Sequence, residues 1–425
     1  MRKDITIKDG YQNTELGIIP IDWKKCIFAD VLNGFSSGMT PYRGISEFYT
    51  GKISWITSGE LNYNIITDTI EKITRDAVVK TNLKILPVGT FLMAITGLEA
   101  KGTRGRCAIT GVKATTNQSC MSLFPKDRAI ITEYLYHFYI RYGDELALKY
   151  CQGSKQQSYT GQIVRLLPIN IPSIHEQRVI ATVLSDMDSL IEKLDKIIDK
   201  KKLVKQGAMQ ELLTGKKRLP DFSNDWEVKR LHEIGKTYGG LTGKNKADFG
   251  NGCCSYISFL NVMNNVEIDI NILERVDIKN GEHQNEVRKN DLFFNTSSET
   301  PHEVGMCAVL IKDVKNVYLN SFCFGFRLKT EDSVYGLFLS YLMNGDYGRF
   351  LMFSIAQGST RYNLSKSYFN KLEIRLPKFT EQKAIAEVLI DMDKEIVILE
   401  SKRVKYQKIK EGAMQELLTG KTRLI

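Results

Sequence analysis

The sequence predicts an α+β fold that is built twice along the chain, with two mixed α/β domains that are each followed by a long helix. Two observations lead to this fold class. A chain of 425 residues is long enough for two or three domains, each with its own core. Residues 152–219 align without a gap on residues 357–424, at an offset of 205, with 31 identities in 68 positions. Because this period is far longer than that of a solenoid, the pattern indicates a tandem repeat of whole domains.

The front parts of the two halves correspond more weakly than the ends. Asp22-Trp23 matches Asp225-Trp226, and Gly105–Ala108 (GRCA) matches Gly305–Ala308 (GMCA). The chain therefore alternates between divergent and nearly constant segments. We predict a first mixed domain over 1–171, a central helix over 172–219, a second mixed domain over 220–376 and a C-terminal helix over 377–425.

The divergent segments are typical of mixed α/β domains. Short apolar and β-branched runs such as KISWIT, GTFLMAIT and CAVLI are separated by loops that contain Gly, Ser and Asn. Each segment also has one helical stretch, TEYLYHFYIRY in the first and SVYGLFLSYLMN in the second. These patterns predict an irregular, curved sheet with a main helix in each domain.

The constant segments predict long helices, because apolar residues recur at alternating spacings of four and three, as in the seam of a coiled coil. Gly215 and Gly420 stand where a helix C-cap is expected. Gly207 and Gly412 interrupt the helix interior, which suggests close backbone approach or simple tolerance. The seam consists of Ile180, Leu184, Met187, Ile191 and Leu194 in the first copy and Ile385, Leu389, Met392, Ile396 and Leu399 in the second.

The composition fits a basic globular protein. Lys and Arg number 59 against 49 Asp and Glu, and the net charge of +10 favours a polyanionic partner such as nucleic acid without requiring one. No apolar run approaches the ~20 residues of a membrane helix, and the N-terminal residues lack a signal-peptide pattern. We therefore expect a cytoplasmic protein with no membrane contact. The eight cysteines include no CxxC pair, so no metal site is expected.

The ends of the two halves carry a family signature. Both copies read EQ…DMD…MQELLTGK-x-RL, with Glu176-Gln177 and Glu381-Gln382 at the start and Gly207–Lys216 and Gly412–Lys421 near the end. This arrangement resembles the specificity (S) subunit of Type I restriction–modification systems. The resemblance covers the whole chain and is strongest in the constant segments.

The resemblance implies a function as well as a fold. It implies two target-recognition domains that are held apart by two antiparallel helices, each domain reading one half of a bipartite double-stranded DNA target. Two methyltransferase subunits would bind the chain and methylate adenine with S-adenosylmethionine, and a restriction and translocase subunit would add ATP- and Mg²⁺-dependent cleavage. The chain itself would be non-catalytic and bind no cofactor. Because the two domains differ in sequence, we expect an asymmetric target rather than a palindrome.

Polar and basic loops of the divergent domains are the candidate DNA contacts, because Arg and Lys bind phosphates or guanine edges and Gln pairs with adenine. Any one of these residues is also compatible with a plain solvated loop. In the first domain they are Ser37, Thr40 and Arg43 (SSGMTPYR), Lys101, Arg104 and Arg106 (EAKGTRGR), and Lys155, Gln156, Gln157 and Tyr159 (GSKQQSYT). In the second domain they are Lys244 and Lys246 (GKNK), and Arg361, Tyr362 and Asn363 (GSTRYNLS).

The repeated MQELLTGK stretch is the candidate contact for other subunits. Packing alone tolerates exchange among Leu, Ile and Met, so its complete identity in both copies favours a partner, although recent duplication is an alternative. The predicted contact residues are Met209, Leu212, Leu213, Met414, Leu417 and Leu418.

Two other functions stay open at this stage. The chain could be a coiled-coil scaffold that binds proteins, or the recognition subunit of a related or orphan modification system. A metal nuclease is a third possibility, since Pro220-Asp221 and Glu227-Val228-Lys229 resemble a PD…ExK pattern. That match lies in a linker, and the sequence has no Pro-Pro methyltransferase loop, GxGxxG or P-loop.

Overall fold

The computed structural model describes residues 9–100, 102–153, 157–330 and 332–424. The chain folds into two compact units. Unit 1 comprises the residues up to Leu194 together with those from Lys402 onward, and unit 2 comprises Asp195–Ser401. Each unit therefore contains one mixed domain, the beginning of the long helix that follows this domain, and the end of the other long helix.

The first domain and its long helix contain these elements, in chain order: β1 (Tyr11–Thr14), β2 (Gly17–Pro20), β3 (Lys24–Ile27), α1 (Phe28–Val31), β4 (Leu32–Ser37), β5 (Ile53–Ile56), β6 (Asn64–Ile66), β7 (Glu71–Ile73), α2 (Arg75–Lys80), β8 (Phe91–Ala94), β9 (Cys107–Thr110), β10 (Ala114–Thr116), β11 (Cys120–Pro125), α3 (Thr132–Tyr150), α4 (Gly161–Leu166), β12 (Pro168–Ile171) and α5 (Ile174–Leu212).

The second domain and its long helix continue the order: β13 (Glu227–Arg230), α6 (Leu231–Ile234), β14 (Gly235–Gly239), β15 (Phe249–Ile257), α7 (Phe259–Asn264), β16 (Glu274–Val276), β17 (Leu292–Asn295), β18 (Ser297–Ser298), β19 (Cys307–Val309), β20 (Val317–Leu319), β21 (Cys323–Leu328), α8 (Gly336–Asn344), α9 (Asp346–Ser354), β22 (Ala356–Gln357), β23 (Tyr362–Leu364), α10 (Lys366–Lys371), β24 (Glu373–Leu376) and α11 (Phe379–Leu417).

The first domain is built on a five-stranded sheet of order β4-β11-β8-β9-β6 and a three-stranded sheet of order β10-β5-β7. Most neighbours are antiparallel, but β6 runs parallel to β9 and β10 runs parallel to β5. Strands β8 and β9 are buried along their whole length, as their continuous apolar runs predict. Helix α3 covers them, with Tyr139 edge-on to Phe91 at 5.8 Å between ring centroids.

The second domain repeats this plan with local changes. Its sheets have the orders β14-β21-β17-β19 and β16-β15-β20, and a further small sheet has the order β18-β23-β22. The counterpart of α3 is divided at Gly345 into α8 and α9. The predicted duplication of mixed α/β domains is confirmed.

An antiparallel strand pair closes each domain directly before its long helix. β12 pairs with β3 in the first domain, and β24 pairs with β13 in the second. These pairs bring the beginning and end of each domain together.

Helices α5 and α11 each contain 39 residues, which corresponds to about 60 Å, and they confirm the predicted long helices. Of the ten predicted seam residues, Met187, Ile191, Met392 and Leu399 are half-buried and the other six are buried. None of the described helices is long and apolar enough to span a membrane.

The EQ and RL parts of the repeated signature meet in the structure. Glu176, at the start of α5, is buried and accepts hydrogen bonds from Arg423 at 2.6 and 2.9 Å. Glu381, at the start of α11, accepts two bonds of 2.6 Å from Arg218. Glu381 is the counterpart of Glu176 in the repeat, and Arg218 is the counterpart of Arg423. The arginine of each RL segment therefore bonds to the glutamate that starts the long helix of the other copy.

The neighbouring glutamines join each long helix to its domain. The Gln177 side chain accepts from the Ile131 backbone and donates to the carbonyls of Ala129 and Pro172. Gln382 makes the same three contacts in unit 2, with Tyr335, Ser333 and Pro377. Buried polar groups need such partners, which explains why the Glu-Gln pair recurs unchanged.

Within each unit, the two helical segments run in opposite directions. In unit 1, Asp188 pairs with Lys410 while Glu176 pairs with Arg423. In unit 2, Asp393 pairs with Lys205 at 2.5 Å while Glu381 pairs with Arg218. In each unit, the residue further along one segment pairs with the residue that comes earlier on the other segment. The two segments are therefore antiparallel.

Candidate nucleic-acid interface

Three loops of each domain carry the predicted contact residues. The first loop follows the edge strand β4 or β14 and spans 38–45 or 240–248. The second loop follows the buried strand β8 or β17 and spans 95–106 or 296–306. The GS loop spans 152–160 or 357–365 and leads into α4 or α10.

The second loop and the GS loop are bonded together in the first domain. The Leu98 amide donates to the Gln157 carbonyl at 3.2 Å, and the Gln157 amide donates to the Glu99 carboxylate at 3.0 Å. Thr96 and Ser158 form a further backbone bridge. Two stretches that are about 60 residues apart in sequence thus form one surface.

The same two loops form a small sheet in the second domain. Ser297 and Ser298 of β18 pair with Asn363 and Tyr362 of β23, and β23 pairs back on β22. The GS loop is therefore a β-hairpin whose arm lies against the second loop. Joined loops at equivalent places are an arrangement that the sequence did not reveal.

The first loop of the first domain is held by stacking and by an ion pair. The Arg43 guanidinium lies 4.4 Å from the ring centroid of Tyr49 and 5.2 Å from that of Trp55. It also donates to Glu71 on β7, with one bond of 2.8 Å, and this bond lowers the pKa of Glu71. Thr40 donates to Gln118 at 2.6 Å, and Ser37 is exposed at the end of β4.

The predicted contacts of the second loop bond mainly within the domain. Arg104 is 12% exposed and donates to Asp144 on α3 at 2.9 Å and to the Glu99 carbonyl at 3.1 Å. Arg106 is half-buried and donates to the Gly102 carbonyl at 2.8 Å. Lys101 lies outside the described residues.

The GS loop of the first domain includes a buried tyrosine. Tyr159 is 4% exposed and belongs to the core of the domain, where burial raises its pKa. This position argues against its predicted contact with DNA, because the ring packs inside the domain. Gln157 is half-buried beside Glu99, while Lys155 and Gln156 lie outside the described residues.

The first loop of the second domain contains two lysines that differ in their exposure to solvent. The Lys244 side chain is 5% exposed and donates to the Glu282 carboxylate at 2.5 Å and to the Asp277 carbonyl at 2.6 Å. Hydrogen bonds to Glu282 from Lys244, which has the largest effect, from the Gln284 side chain and from the Lys279 amide lower the pKa of Glu282 to about 2. Lys244 therefore holds its loop instead of facing solvent, which argues against its predicted contact with DNA, whereas Lys246 is exposed.

The GS hairpin of the second domain presents its polar residues to solvent. Arg361 and Asn363 are exposed, and Tyr362 is half-buried beside Ser298. The Asn363 side chain donates to the Arg361 carbonyl at 3.1 Å. An exposed arginine and asparagine on a braced hairpin can bind phosphate oxygens or base edges.

Sequence reasoning missed several residues of these loops. Tyr42 is 73% exposed in the first loop, and Met39 is also exposed. The sequence could have indicated both residues, because they lie in the same polar loop as Thr40 and Arg43. The loops are also held by residues from distant parts of the sequence, namely Glu71, Asp144, Glu282 and Arg349. No spacing pattern in the sequence predicts these contacts.

The predicted subunit contacts lie mostly inside this chain. Leu212 and Leu213 belong to the core of unit 2, and Met414, Leu417 and Leu418 belong to the core of unit 1. Met209 is half-buried against the core of unit 2. These positions argue against a contact with another subunit, because the side chains pack on the chain's own domains.

The nuclease alternative gains no support from the geometry. Glu227 opens β13 and pairs with Lys229 at 2.8 Å, while Asp221 lies in the preceding linker with a φ of 72°. Across the part of the chain that the structure describes, no group of three or more His, Cys, Asp or Glu could hold a metal ion.

Two duplicated α/β domains, each with a composite polar loop surface and a long helix, define a two-domain recognition protein. Residues 20–200 and 223–410 match the family described as the Type I restriction modification DNA specificity domain. The chain belongs to this family, and its function is recognition of a DNA target within a Type I restriction–modification system.

Known relatives agree with this assignment. The chain is 23% identical over 422 residues to the Type I restriction enzyme MjaVIII specificity subunit of Methanocaldococcus jannaschii, which covers 96% of this chain and 94% of that protein. It is 32% identical over 246 residues to the MjaIX specificity subunit of the same organism. That alignment covers 54% of this chain, and the chain spans about half the length of that relative, 55%.

Solved structures support the fold. A Type I restriction–modification S subunit from M. genitalium has a TM-score of 0.58 at 14% identity, covering 93% of this chain and 96% of that one. A chain from a study of complex assembly and conformational transition of the type I R-M system has a TM-score of 0.56 at 13% identity, covering 95% and 99%.

Proposed function

We propose that this chain is a non-catalytic subunit that reads an asymmetric, two-part DNA sequence, one part through each domain. The observation that carries the proposal is the composite surface of second loop and GS loop. It occurs at equivalent places in both domains, while the side chains on it differ. Equivalent architecture with different side chains is what reading two different half-sites requires.

The exposed residues of the loops of the second domain suit DNA. Arg361 can bind guanine edges or phosphates, Asn363 can pair with adenine, and Lys246 can neutralise a phosphate. The net charge of +10 supports a non-specific electrostatic contribution to the same complex.

The proposal includes the partners and the compartment. Two methyltransferase subunits would use S-adenosylmethionine to methylate adenine, and a restriction and translocase subunit would use ATP and Mg²⁺. These cofactors would be bound by the partners, and the complex would work in the cytoplasm, where the DNA is.

A repeated exposed face on the long helices supports a partner in two copies. Gly207 is exposed on α5, five residues before the helix ends, with nothing within 4 Å of the position that a Cβ would take, and the same is true of Gly412 on α11. Packing among the described residues does not explain two glycines that each cost the helix about 1 kcal/mol. The face continues through exposed Val204 and Gln210 in the first copy, and Ile409 and Gln415 in the second.

DNA reading is tested by methylation of a random-sequence library. The chain is co-expressed with a matching methyltransferase subunit, and adenine methylation is read by single-molecule sequencing. We expect a two-part asymmetric motif with a fixed gap. Replacing Arg361 and Asn363 together by Ala should relax one part, whereas Arg230→Ala, which removes an exposed arginine on β13, should change neither. A palindromic motif, or relaxation of both parts, would contradict the proposal.

Partner binding is tested by native mass spectrometry of the co-expressed complex. We expect two methyltransferase copies on the natural chain, one copy with Gly207→Leu or Gly412→Leu, and none with both. Asp199→Leu serves as the control. Asp199 is exposed on α5, but its counterpart in the second copy is Val404, so this position does not belong to the repeated face. Unchanged occupancy in the double variant would rule out this face as the docking site.

A further inference from the structure

In each domain, one side chain of the helix that packs against the second loop holds this loop. The side chain is Asp144 of α3 in the first domain and Arg349 of α9 in the second, and the two occupy the same position of the repeat. Tyr142-Gly143 in α3 corresponds to Tyr347-Gly348 in α9 at the offset of 205, so Asp144 corresponds to Arg349. An acidic residue in one domain thus has a basic residue as its counterpart in the other.

In the first domain, the helix supplies the carboxylate and the loop supplies the cation. Asp144 accepts from Arg104 Nε at 2.9 Å, and Arg104 also donates to the Glu99 carbonyl at 3.1 Å. Directly beside this pair, Gly143 and Gly105 approach so closely that a Cβ on either would come within 2.8 Å of the other's backbone. Glu99 in turn accepts from the Gln157 amide, which extends the clamp to the GS loop.

In the second domain, the helix supplies the cation and the loop supplies backbone carbonyls. Arg349 donates to the carbonyls of Gly305 at 2.8 Å, His302 at 3.1 Å and Val304. Its remaining Nε–H is buried without a partner among the described residues. A ring contact between His302 and Phe353, at 5.8 Å between centroids, adds a second link between the loop and α9.

We propose that Asp144 and Arg349 are positioning residues, each of which fixes the second loop, and through it the GS loop, in the shape that discriminates bases at one half-site. This inference rests on the proposed function. Neither residue needs to touch DNA: each acts by setting where the loop backbone lies. Because the two clamps lie in different domains and share no residues, a substitution in one clamp leaves the other intact.

The chemistry predicts which substitutions keep each clamp. Asn at position 144 can still accept from Arg104 Nε, whereas Ala cannot. Lys at position 349 can reach one carbonyl but cannot donate to three, because it lacks the planar fork of arginine. Asp144 is 51% exposed, so replacing it leaves the domain core untouched.

The test compares methylation motifs from the random-sequence library for complexes that carry each variant. With Asp144→Ala we expect about tenfold more methylation at sites with one mismatched base in one half-site, and with Arg349→Met the same relaxation in the other half-site. Asp144→Asn should retain the natural motif, and Arg349→Lys should give an intermediate result. Asp76→Ala breaks an exposed ion pair with Lys80 elsewhere in the first domain and serves as the control.

The outcomes distinguish a failure of the proposed function from a failure of this inference. If the natural chain yields no two-part motif, the proposed function fails and this inference fails with it. If the natural chain yields the motif and Asp144→Ala leaves both halves unchanged, this inference alone is overturned. Relaxation of both halves by one variant would also overturn it. If Arg349→Met does not fold, Arg349→Lys decides the second domain, since an unchanged motif there contradicts the assigned role.

Discussion

Arg423 donates to the buried carboxylate of Glu176 at 2.6 and 2.9 Å, although 247 residues separate them in the chain. Arg423 also donates to Asp22, and the Trp23 indole donates to Glu176 at 3.2 Å. One guanidinium therefore ties the end of the chain to the beginning of the first domain and to the start of α5. In unit 2, Arg218 makes the corresponding bonds to Glu381.

Breaking this pair should destabilise unit 1. Arg423→Ala leaves the Glu176 carboxylate buried without its cation, so we expect the free energy of unfolding to fall by about 3 kcal/mol. Urea unfolding followed by tryptophan fluorescence measures the loss. Arg230→Ala is the control, because its partner Glu373 is exposed and such surface pairs contribute less than about 1 kcal/mol. Equal effects of the two variants would contradict a special role for the buried pair.

The repeated glycines of the signature should respond to alanine in opposite ways. Gly412 is helical with open space around it, so Gly412→Ala should stabilise the chain by up to about 1 kcal/mol. Gly420 has a φ of 67°, and a Cβ there would lie 2.4 Å from Pro20, so Gly420→Ala should destabilise it by about 2 kcal/mol. Thermal unfolding of the two variants checks the signs, and destabilisation by Gly412→Ala would show that the helix needs this glycine for itself.

His137 should make unit 1 sensitive to mild acid. It is fully buried on α3, with Nε2 3.0 Å from Ser185 Oγ, and burial together with Lys410 lowers its pKa from 6.5 to about 3. Between these values the unfolded chain binds the proton and the folded chain does not, so stability falls as the pH falls. The loss should reach about 2 kcal/mol between pH 7 and pH 5.

Urea unfolding at a series of pH values tests this expectation. His137→Gln should remove most of the loss between pH 7 and pH 5, because glutamine does not titrate. An identical pH profile for the natural chain and the variant would assign the acid sensitivity to other groups.

The two lysines of the first loop in the second domain should differ in their effect on DNA binding. Lys246 is exposed, so Lys246→Ala should reduce the salt dependence of DNA affinity by about one phosphate contact. Lys244 is engaged with Glu282 and Asp277, so Lys244→Ala should leave that slope unchanged while altering base discrimination. Fluorescence anisotropy between about 50 and 200 mM salt measures both slopes. A larger change in slope for Lys244→Ala would reverse the roles given to these residues.

The repeat made much of the architecture predictable. The ungapped match at offset 205 established the duplication, and the apolar spacing from Ile180 to Leu194 predicted a helix that extends over Ile174–Leu212. Gly215 and Gly420 have the positive φ values that a helix C-cap requires, 72° and 67°. These features are local, so neighbouring residues suffice to specify them.

Side-chain exposure could not be read in the same way. Tyr159 and Lys244 both stand in polar loops, yet one packs in the core and the other is enclosed by Glu282 and Asp277. Likewise, the repeated GAMQELLTGK stretch packs its identical leucines inward and leaves Gly207 and Gly412 exposed.

The sequence by itself determined the duplication, the class of fold, the long helices and the family, because each is encoded in periodicity or in a contiguous motif. Only the tertiary structure decided how Glu176 finds Arg423, how the second loop joins the GS loop, and how Asp144 and Arg349 hold equivalent loops with opposite charges. Those contacts join residues from about 40 to almost 250 positions apart. They depend on which strands pair and which helix covers them, and the free energy of the whole packed domain fixes that choice.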